Sequence, residues 1–334
     1  MGRIHFRSKD EQRKKMEAEP PREYRREFEI RSVDQTEERK IEQREGKFCR
    51  KYFPEKIMEI TQLPEECISH IISLTSPRDA CRSSLVSPLF RSVADSDVVW
   101  ERFLPSDYRN AISQSVVFPV LNAMPKKSLY FHLYHNPVII GDGNMSFSLD
   151  KTSGKKCYMI GARGLSITWG DTPQYWQWSP LPESRFPEVA KLKDVWWLHV
   201  VANVDTRILS PQTTYAAYLV SKLERAQHGR RHWWEPPGVR GFDRRPVNLR
   251  VYFEGLEDGD VLSVVLDPPS DMPQLPQDRG DGWKEIEMGN FFNENGEDGV
   301  VSCSLKEVSG KGPWSGLVVE GIELRPKASS YKHG

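Results

Sequence analysis

Cysteine is scarce in this chain. Five cysteines, Cys49, Cys67, Cys81, Cys157 and Cys303, are spread singly over 334 residues. An odd, unclustered set excludes a disulfide framework and a Cys-rich zinc site, and points to reduced thiols in a nuclear or cytosolic setting. Long apolar runs are missing too: none approaches the ~20 residues of a membrane span. The opening Met1-Gly2-Arg3-Ile4-His5-Phe6 carries no apolar secretory segment. Gly2 suggests N-myristoylation, but Phe6 stands where that signal needs Ser or Thr. A net charge of +0 gives no global attraction to nucleic acid or to an anionic membrane.

Catalytic signatures are absent as well. The eight histidines do not fall at metal-ligand spacing; His132 and His135 are three apart, with no local acid or cysteine cluster beside them. There is no Gly-x-Ser-x-Gly elbow, phosphate-binding loop, His-Glu-x-x-His pair or dinucleotide fingerprint. The expectation is a chain without catalytic residues, cofactor or metal. No internal repeat of 20 to 50 residues is visible either.

What is present divides the chain in order. The first 50 residues hold 15 Lys/Arg and 12 Asp/Glu and few apolar groups. A segment of that kind cannot fill a core, so 1–55 is expected to be a charged, disordered or partly helical extension. Residues 56–135 follow helical spacing. Leu63-Pro64-Glu65-Glu66 places proline and acids in a first turn, and Ile68, Ile71, Ile72 and Leu74 share a face. Ser76-Pro77-Arg78-Asp79 caps a second helix, and Pro88 breaks the following run. A third element runs from Asp95 to Leu104, stopping before Pro105. After a loop over 111–122, Lys126 to Leu133 reads as an amphipathic helix. Residues 136–155, with Asn136-Pro137 and Gly141-Asp142-Gly143-Asn144, read as a linker.

From Lys156 the period changes to two. Candidate strands are 156–160, 195–204, 214–223, 247–253, 284–291, 300–306 and 316–325, with turn signals such as Gly280-Asp281-Gly282 between them. That many strands in one stretch, 156–326, predict an antiparallel β-sandwich, jelly-roll-like in architecture, with 327–334 as a tail. The fold class is thus α+β and multidomain.

The most distinctive stretch lies in this β region. Gly164-Leu165-Ser166-Ile167-Thr168-Trp169-Gly170-Asp171-Thr172-Pro173-Gln174-Tyr175-Trp176-Gln177-Trp178 holds three of the ten tryptophans. It reads as a short strand, a turn and a second short strand, with indoles near the turn. Aromatic rings beside polar groups suit a ligand with one apolar face and a polar rim, such as a sugar; such rings also serve as core anchors of a sandwich. A second unusual segment, 226–246, is basic and carries Trp233-Trp234. It reads as a long surface loop, with a cation–aromatic contribution to a ligand site as the alternative.

Two family resemblances join these observations. Leu63-Pro64-Glu65-Glu66, the Ile68/Ile71/Ile72 set, Asp79, Leu85-Val86-Ser87, Phe90 and Trp100 resemble an F-box in order and spacing. The resemblance implies docking onto the Skp-type adaptor of a cullin-RING ubiquitin ligase. It places Leu63, Pro64, Ile68, Ile71, Leu85, Val86 and Trp100 at or beneath that interface; each could equally belong to the helical unit's own core.

The β region resembles the plant phloem protein 2 family, which includes the Nictaba-type lectins. The match runs from Ala162 to Trp178, through Val195-Trp196-Trp197 and Thr214 to Leu219, to Asp281-Gly282-Trp283, Phe291-Phe292-Asn293 and Gly321 to Pro326. It implies a sandwich that binds N-acetylglucosamine oligomers or N-glycan cores. It carries the sugar contacts onto Trp169 and Trp176, with Tyr175 and Trp178 as neighbours and Glu307 as one of a late acidic pair. Val300 stands where the lectin type has the other acid.

The combined expectation is a non-catalytic substrate receptor of a Skp-cullin-F-box ligase in nucleus and cytoplasm. Its partners would be the adaptor, the cullin ligase and a glycan or glycoprotein ligand, with no nucleic acid and no membrane span. A free carbohydrate-binding lectin, or a protein-interaction module that has lost sugar binding, are the alternatives.

Overall fold

The computed structural model describes residues 60–224, 238–256, 259–273, 275–310 and 312–327. The charged extension over 1–55, Cys49 and the Trp233-Trp234 pair lie outside the described residues. The chain divides into two compact units, Met1–Pro64 and Glu65–Gly334. In the first, Ile60–Gln62 form a single 3-10 turn.

The second unit opens with seven helices: α1 (Glu65–Ser73), α2 (Pro77–Ser83), α3 (Pro88–Ala94), α4 (Asp97–Phe103), α5 (Tyr108–Ser113), α6 (Phe118–Asn122) and α7 (Lys126–His135). α2 and α3 start from the same Ser-Pro device. Proline presets the first helical φ, and the serine oxygen takes one of the orphan N–H groups. Ser76 Oγ accepts from Asp79 N–H at 3.1 Å and Ser87 Oγ from Phe90 N–H at 3.2 Å. The 111–122 stretch, expected as loop, contributes to α5 and forms α6 (Phe118–Asn122); neither helix exceeds six residues, too short to print a helical period. Trp100 is the hub of the bundle. It is fully buried, donates its indole N–H to Ala94 O at 2.7 Å, and meets Phe103, Tyr130 and Phe131 with ring centroids 5.2 to 5.4 Å apart.

Fourteen strands follow among the described residues. β1 (Val138–Ile140), β2 (Met145–Leu149), β3 (Lys156–Gly161), β4 (Ser166–Ile167), β5 (Trp176–Ser179), β6 (Val189–Leu192) and β7 (Leu198–Asp205) come first. They are followed by β8 (Thr213–Leu223), β9 (Val247–Phe253), β10 (Val261–Val264), β11 (Gln277–Asp278), β12 (Lys284–Asn293), β13 (Val300–Glu307) and β14 (Leu317–Pro326). They build two antiparallel sheets. The larger runs β1-β2-β3-β14-β8-β12-β11, with β6 also on β14 and β5 on β6; the smaller runs β10-β9-β13-β7-β4. Val200, Ala202, Val204, Cys303, Leu305, Tyr215, Leu219, Ile322 and Leu324 are buried between them, as alternation requires. Burial raises the Cys303 thiol to about 12 and raises Cys157 likewise, so both stay protonated.

The segment 136–155 is not a linker. It forms the β1–β2 hairpin, with Phe147 opposite Val138 and Leu149 opposite Lys156, and so extends the larger sheet. The helices pack on this hairpin, α5 against β1 and α7 against β2. Lys156, 4% exposed, reaches Asp107 at 2.8 Å, and Gly154 (φ +68) leaves room for the Tyr130 hydroxyl, which a Cβ would meet at 2.8 Å. Helical unit and sandwich are thereby one packed body.

β14 centres the larger sheet. One edge pairs β8 throughout; the other is shared end to end by β6 at Val318–Val319 and by β3 at Gly321–Leu324. The break in register between Val319 and Gly321 inserts Glu320. A Cβ at Gly321 would lie 2.2 Å from Ile160 O, so glycine is required there. Residues 180–188 cover the outer face of this sheet. Phe186 joins Met159, Val189, Val220, Trp283 and Val318 in a small apolar cluster. Beside it, Glu323 accepts from Arg279 at 2.7 Å and Arg185 at 3.3 Å, and Glu285 from Arg279 at 2.8 Å and Arg325 at 2.7 Å.

The two buried acids of β14 respond oppositely to their surroundings. Burial works to raise both. At Glu323 the arginines overcome it and hold the carboxyl below the usual range; at Glu320, which accepts from Arg185 N–H at 2.7 Å, burial prevails and the carboxyl is raised. Glu323 therefore adds stability that is full above the unfolded value near 4.3 and is lost as pH falls through its lowered native value. Ionised Glu320 subtracts stability as pH rises above the unfolded value. Chemical denaturation as a function of pH should show Glu323→Gln less stable by about 3 kcal/mol at pH 7, with the deficit shrinking below pH 4. Glu320→Gln should be neutral or stabilising at pH 7.

Candidate aromatic ligand platform

The aromatic run crosses from one sheet to the other. β4 pairs β7 of the smaller sheet, with Ser166 opposite Val201; β5 pairs β6 of the larger sheet, with Trp176 opposite Leu192. The turn between them therefore bridges one end of the sandwich. It begins where Gly170 N–H donates to Ile167 O at 2.9 Å, with Trp169 in the third position. Trp169 adopts φ +59, a left-handed conformation normally given to glycine or asparagine at that place. A bulky residue there costs about 1–3 kcal/mol and persists only when its surroundings over-determine it.

Those surroundings are the other two tryptophans. Trp176, 2% exposed, donates its indole N–H to Thr168 O at 3.2 Å. Trp178, half-buried, donates to Gly170 O at 2.9 Å and carries the Arg163 guanidinium on its ring at 3.8 Å. One indole thus grips the peptide before Trp169 and the other the residue after it. Further along, Thr172 N–H donates to Trp169 O and Tyr175 N–H to Thr172 O, both at 2.9 Å, and Lys193 Nζ caps Pro173 O at 2.9 Å.

The held turn presents one ring outward. Trp169 is 40% exposed, lies 6.0 Å from Trp197 at an interplanar angle of 18°, and 5.3 Å from half-buried Tyr175 at 40°. Trp197 is 52% exposed and Trp196 57%. The strand expected over 195–204 begins only at Leu198, so both indoles sit in the bend before β7, clear of the sheet. Glu307 ends β13 opposite Leu198, and its carboxylate accepts from Ser309 N–H at 2.5 Å. The turn it starts passes Trp197: a Cβ on Gly310 would lie 3.6 Å from the Trp197 indole nitrogen. His199, next on the strand, has its pKa lowered by burial and by Lys306, so the imidazole beside the platform is neutral at pH 7.

The structure therefore brings Trp169 and Tyr175 together at one end of the sandwich, adds Trp197, and sets Glu307 opposite Leu198, the residue that follows Trp197. It places Trp176 beneath the surface, so Trp176 presents no ring face to a ligand and acts as the anchor of the turn. Trp178 is likewise occupied, by Arg163. Trp197 was not singled out from sequence; the signal available was a Trp pair just ahead of a strictly alternating strand. Among the described residues no group of three His, Cys, Asp or Glu side chains could hold a metal ion. Nor is any described helix long and apolar enough to cross a membrane.

The helical unit carries the other candidates. Leu85 is 76% exposed, Val86 70% and Ile71 44%; Leu74, just after α1, and Val98, on α4, are exposed as well. Ile68 and Trp100 are in the bundle core, 1% and 0% exposed, and so hold the unit together without facing outward. In the first unit, Pro64 is exposed and Leu63 half-buried.

Comparison with known proteins agrees with this division. The profile of the F-box domain matches residues 60–102 and that of phloem protein 2 matches residues 155–326. The Arabidopsis thaliana protein "F-box protein PP2-B10" is 43% identical over 265 residues, covering 79% of this chain and 92% of that protein. "F-box protein At2g02240" of the same plant is 43% identical over 267 residues, covering 80% of each. Among solved structures, a Podospora anserina GH26-CBM35 β-(1,4)-mannanase aligns with 52% of this chain and 28% of its own, at 11% identity and a TM-score of 0.30. With an F-box ahead of a phloem protein 2 domain and such identity over most of its length, the chain belongs to the phloem protein 2 family of F-box proteins.

Proposed function

We propose that this protein is the substrate-recognition subunit of a Skp-cullin-F-box ubiquitin ligase, acting in nucleus and cytoplasm and binding glycosylated targets through the aromatic platform. The observation that carries the ligand half is the Trp169–Trp197 pair. Two indoles lie nearly parallel and open to solvent beside the Tyr175 ring, and Glu307 ends β13 opposite Leu198, the residue after Trp197. A sugar ring offers an apolar C–H face and a rim of hydroxyls. The indoles match the first, and a carboxylate, a neutral imidazole and turn carbonyls match the second. An N-acetylglucosamine-containing glycan fits this description. The adjacent Leu85 and Val86, both open to solvent between α2 and α3, support the adaptor half, since contiguous exposed apolar side chains mark a protein contact. The chain itself contributes no catalytic group in this reading: its role is to hold a target near the ligase's catalytic partners.

Three outcomes follow on a glycan array and in titrations with N-acetylglucosamine oligomers. Trp169→Ala and Trp197→Ala each lower affinity at least about tenfold with the melting temperature little changed. Trp176→Ala lowers stability by about 3–5 kcal/mol, because a fully buried indole is removed. An array blank for the folded wild type sinks the lectin reading and favours a peptide ligand. For the adaptor half, Leu85→Glu with Val86→Glu should abolish co-purification with a Skp-type adaptor while leaving the fold and glycan binding intact. Failure of the wild-type chain to bind any Skp-type adaptor defeats the ligase reading.

A further inference from the structure

The basic segment 226–246 is described from Gly238 onward, and that part is bound into the body of the sandwich. Arg240 N–H donates to Ser315 O at 3.0 Å and Arg240 O accepts from Ser315 N–H at 3.3 Å. Buried Ser315 also donates its hydroxyl to Gly238 O at 2.6 Å. Phe242, fully buried, meets the Trp314 ring at 4.8 Å. A cation–aromatic contact is present too, made by Arg245. Its guanidinium lies 4.2 Å from the centre of the Trp314 ring and donates from Nη1 to Gly312 O at 3.1 Å and from Nη2 to Pro313 O at 2.5 Å. Gly241, at φ +92, leaves room for this stack: a Cβ there would lie 2.7 Å from the Trp314 ring.

The chain that Arg245 holds is also the chain that fixes Trp197. Trp314 N–H donates to Val195 O at 2.7 Å, and Val195 N–H donates to Trp314 O at 3.0 Å. Val195 is buried, and Trp196 and Trp197 follow it directly in the bend before β7. Two residues ahead of Gly312, Gly310 passes the Trp197 indole nitrogen. Trp197 is thus set from both sides by one stretch of backbone. That stretch cannot hold itself by strand pairing alone: Pro313 has no N–H to give, and Gly312, at φ +136, leaves the extended range. Arginine suits the task because its planar fork reaches two successive carbonyls while its flat face rests on an indole; lysine offers a point charge with no such fork.

We infer that Arg245 is a positioning residue of the aromatic platform: by clamping Gly312 and Pro313 against Trp314 it holds Val195 and Gly310 in place, and so keeps the Trp197 ring alongside Trp169. Arg245 acts through Trp197 and not on the ligand. Its consequence for binding rests on the platform reading; its effect on the ring pair belongs to the free protein and stands apart from that reading.

The test compares the full chain with Arg245→Lys and Arg245→Ala, first without ligand. Nuclear Overhauser contacts between the Trp169 and Trp197 rings should weaken and the Trp197 indole N–H signal should move, while the Trp176 and Trp178 signals stay in place. Titration with N-acetylglucosamine oligomers should then show Arg245→Lys binding at least about fivefold more weakly than the wild type. In a Trp197→Ala background Arg245→Lys should cost no further affinity, because the two residues act in series. A residue that merely supports the fold would weaken binding by the same factor in both backgrounds. Should Arg245→Ala not fold, Arg245→Lys, which keeps the cation and the side-chain stem, supplies the same readings. Ring contacts and a Trp197 signal unchanged in the folded variants, or an equal loss of affinity with and without Trp197, overturn the inference. A wild type that binds no oligomer defeats the platform reading, and the ring contacts then decide the role of Arg245 by themselves.

Discussion

Two indole–backbone hydrogen bonds govern this molecule's candidate function. Trp176 to Thr168 O and Trp178 to Gly170 O clamp the turn on either side of Trp169. Without them a tryptophan at φ +59 would relax to an ordinary turn and its ring would leave the position facing Trp197. The clamp works because the turn spans two sheets. β4 belongs to the smaller sheet and β5 to the larger, so both ends are fixed by separate ladders and the interior of the sandwich end is filled by the Trp176 ring. Backbone strain, buried aromatic volume and a solvent-facing indole are thus parts of one arrangement, with the cost of the strained residue met by packing next to it.

A second constraint sets how binding is coupled to the rest of the chain. The helices do not hang from a tether. α5 and α7 pack on the β1–β2 hairpin, and Lys156 of β3 pairs with Asp107 just ahead of α5. A ligand held on the sandwich and a partner held on Leu85 and Val86 would therefore sit at a fixed separation within one packed unit. For a protein whose proposed role is to present one molecule to another, fixed geometry limits which parts of a bound target come within reach.

Much of this was legible in the sequence, and the misses have physical causes. The strands β7 and β9 alternate in burial over most of their length, so period and burial agree, while β8, β13 and β14 are buried on both faces and show as runs of apolar and small residues between turn signals. The Ser76-Pro77 helix start was equally plain, but Pro88, read as a break, is with Ser87 the start of α3. β1 and β2 were read as a linker because Val138–Ile140 is three residues long and its partner follows a Gly-Asp-Gly turn; only pairing with β3 makes them strands. The site residues failed differently. Trp176 and Trp197 each adjoin a strand end, and nothing local says which ring is buried. That depends on β5 joining the larger sheet while the bend before β7 projects from the smaller one. The family resemblance brought out Trp169, yet it gave Trp176 a contact role that burial denies and passed over Trp197.

The central claim is a division of labour among indoles: Trp169 and Trp197 meet the ligand, Trp176 and Trp178 hold the turn. Nitrogen-15 spectroscopy of the indole N–H groups during titration with N-acetylglucosamine oligomers reads it directly. The Trp169 and Trp197 signals should shift with saturation, while those of Trp176 and Trp178 stay in place and exchange slowly with solvent. A Trp176 signal that exchanges fast and shifts on titration, with Trp169 and Trp197 unmoved, would contradict the account.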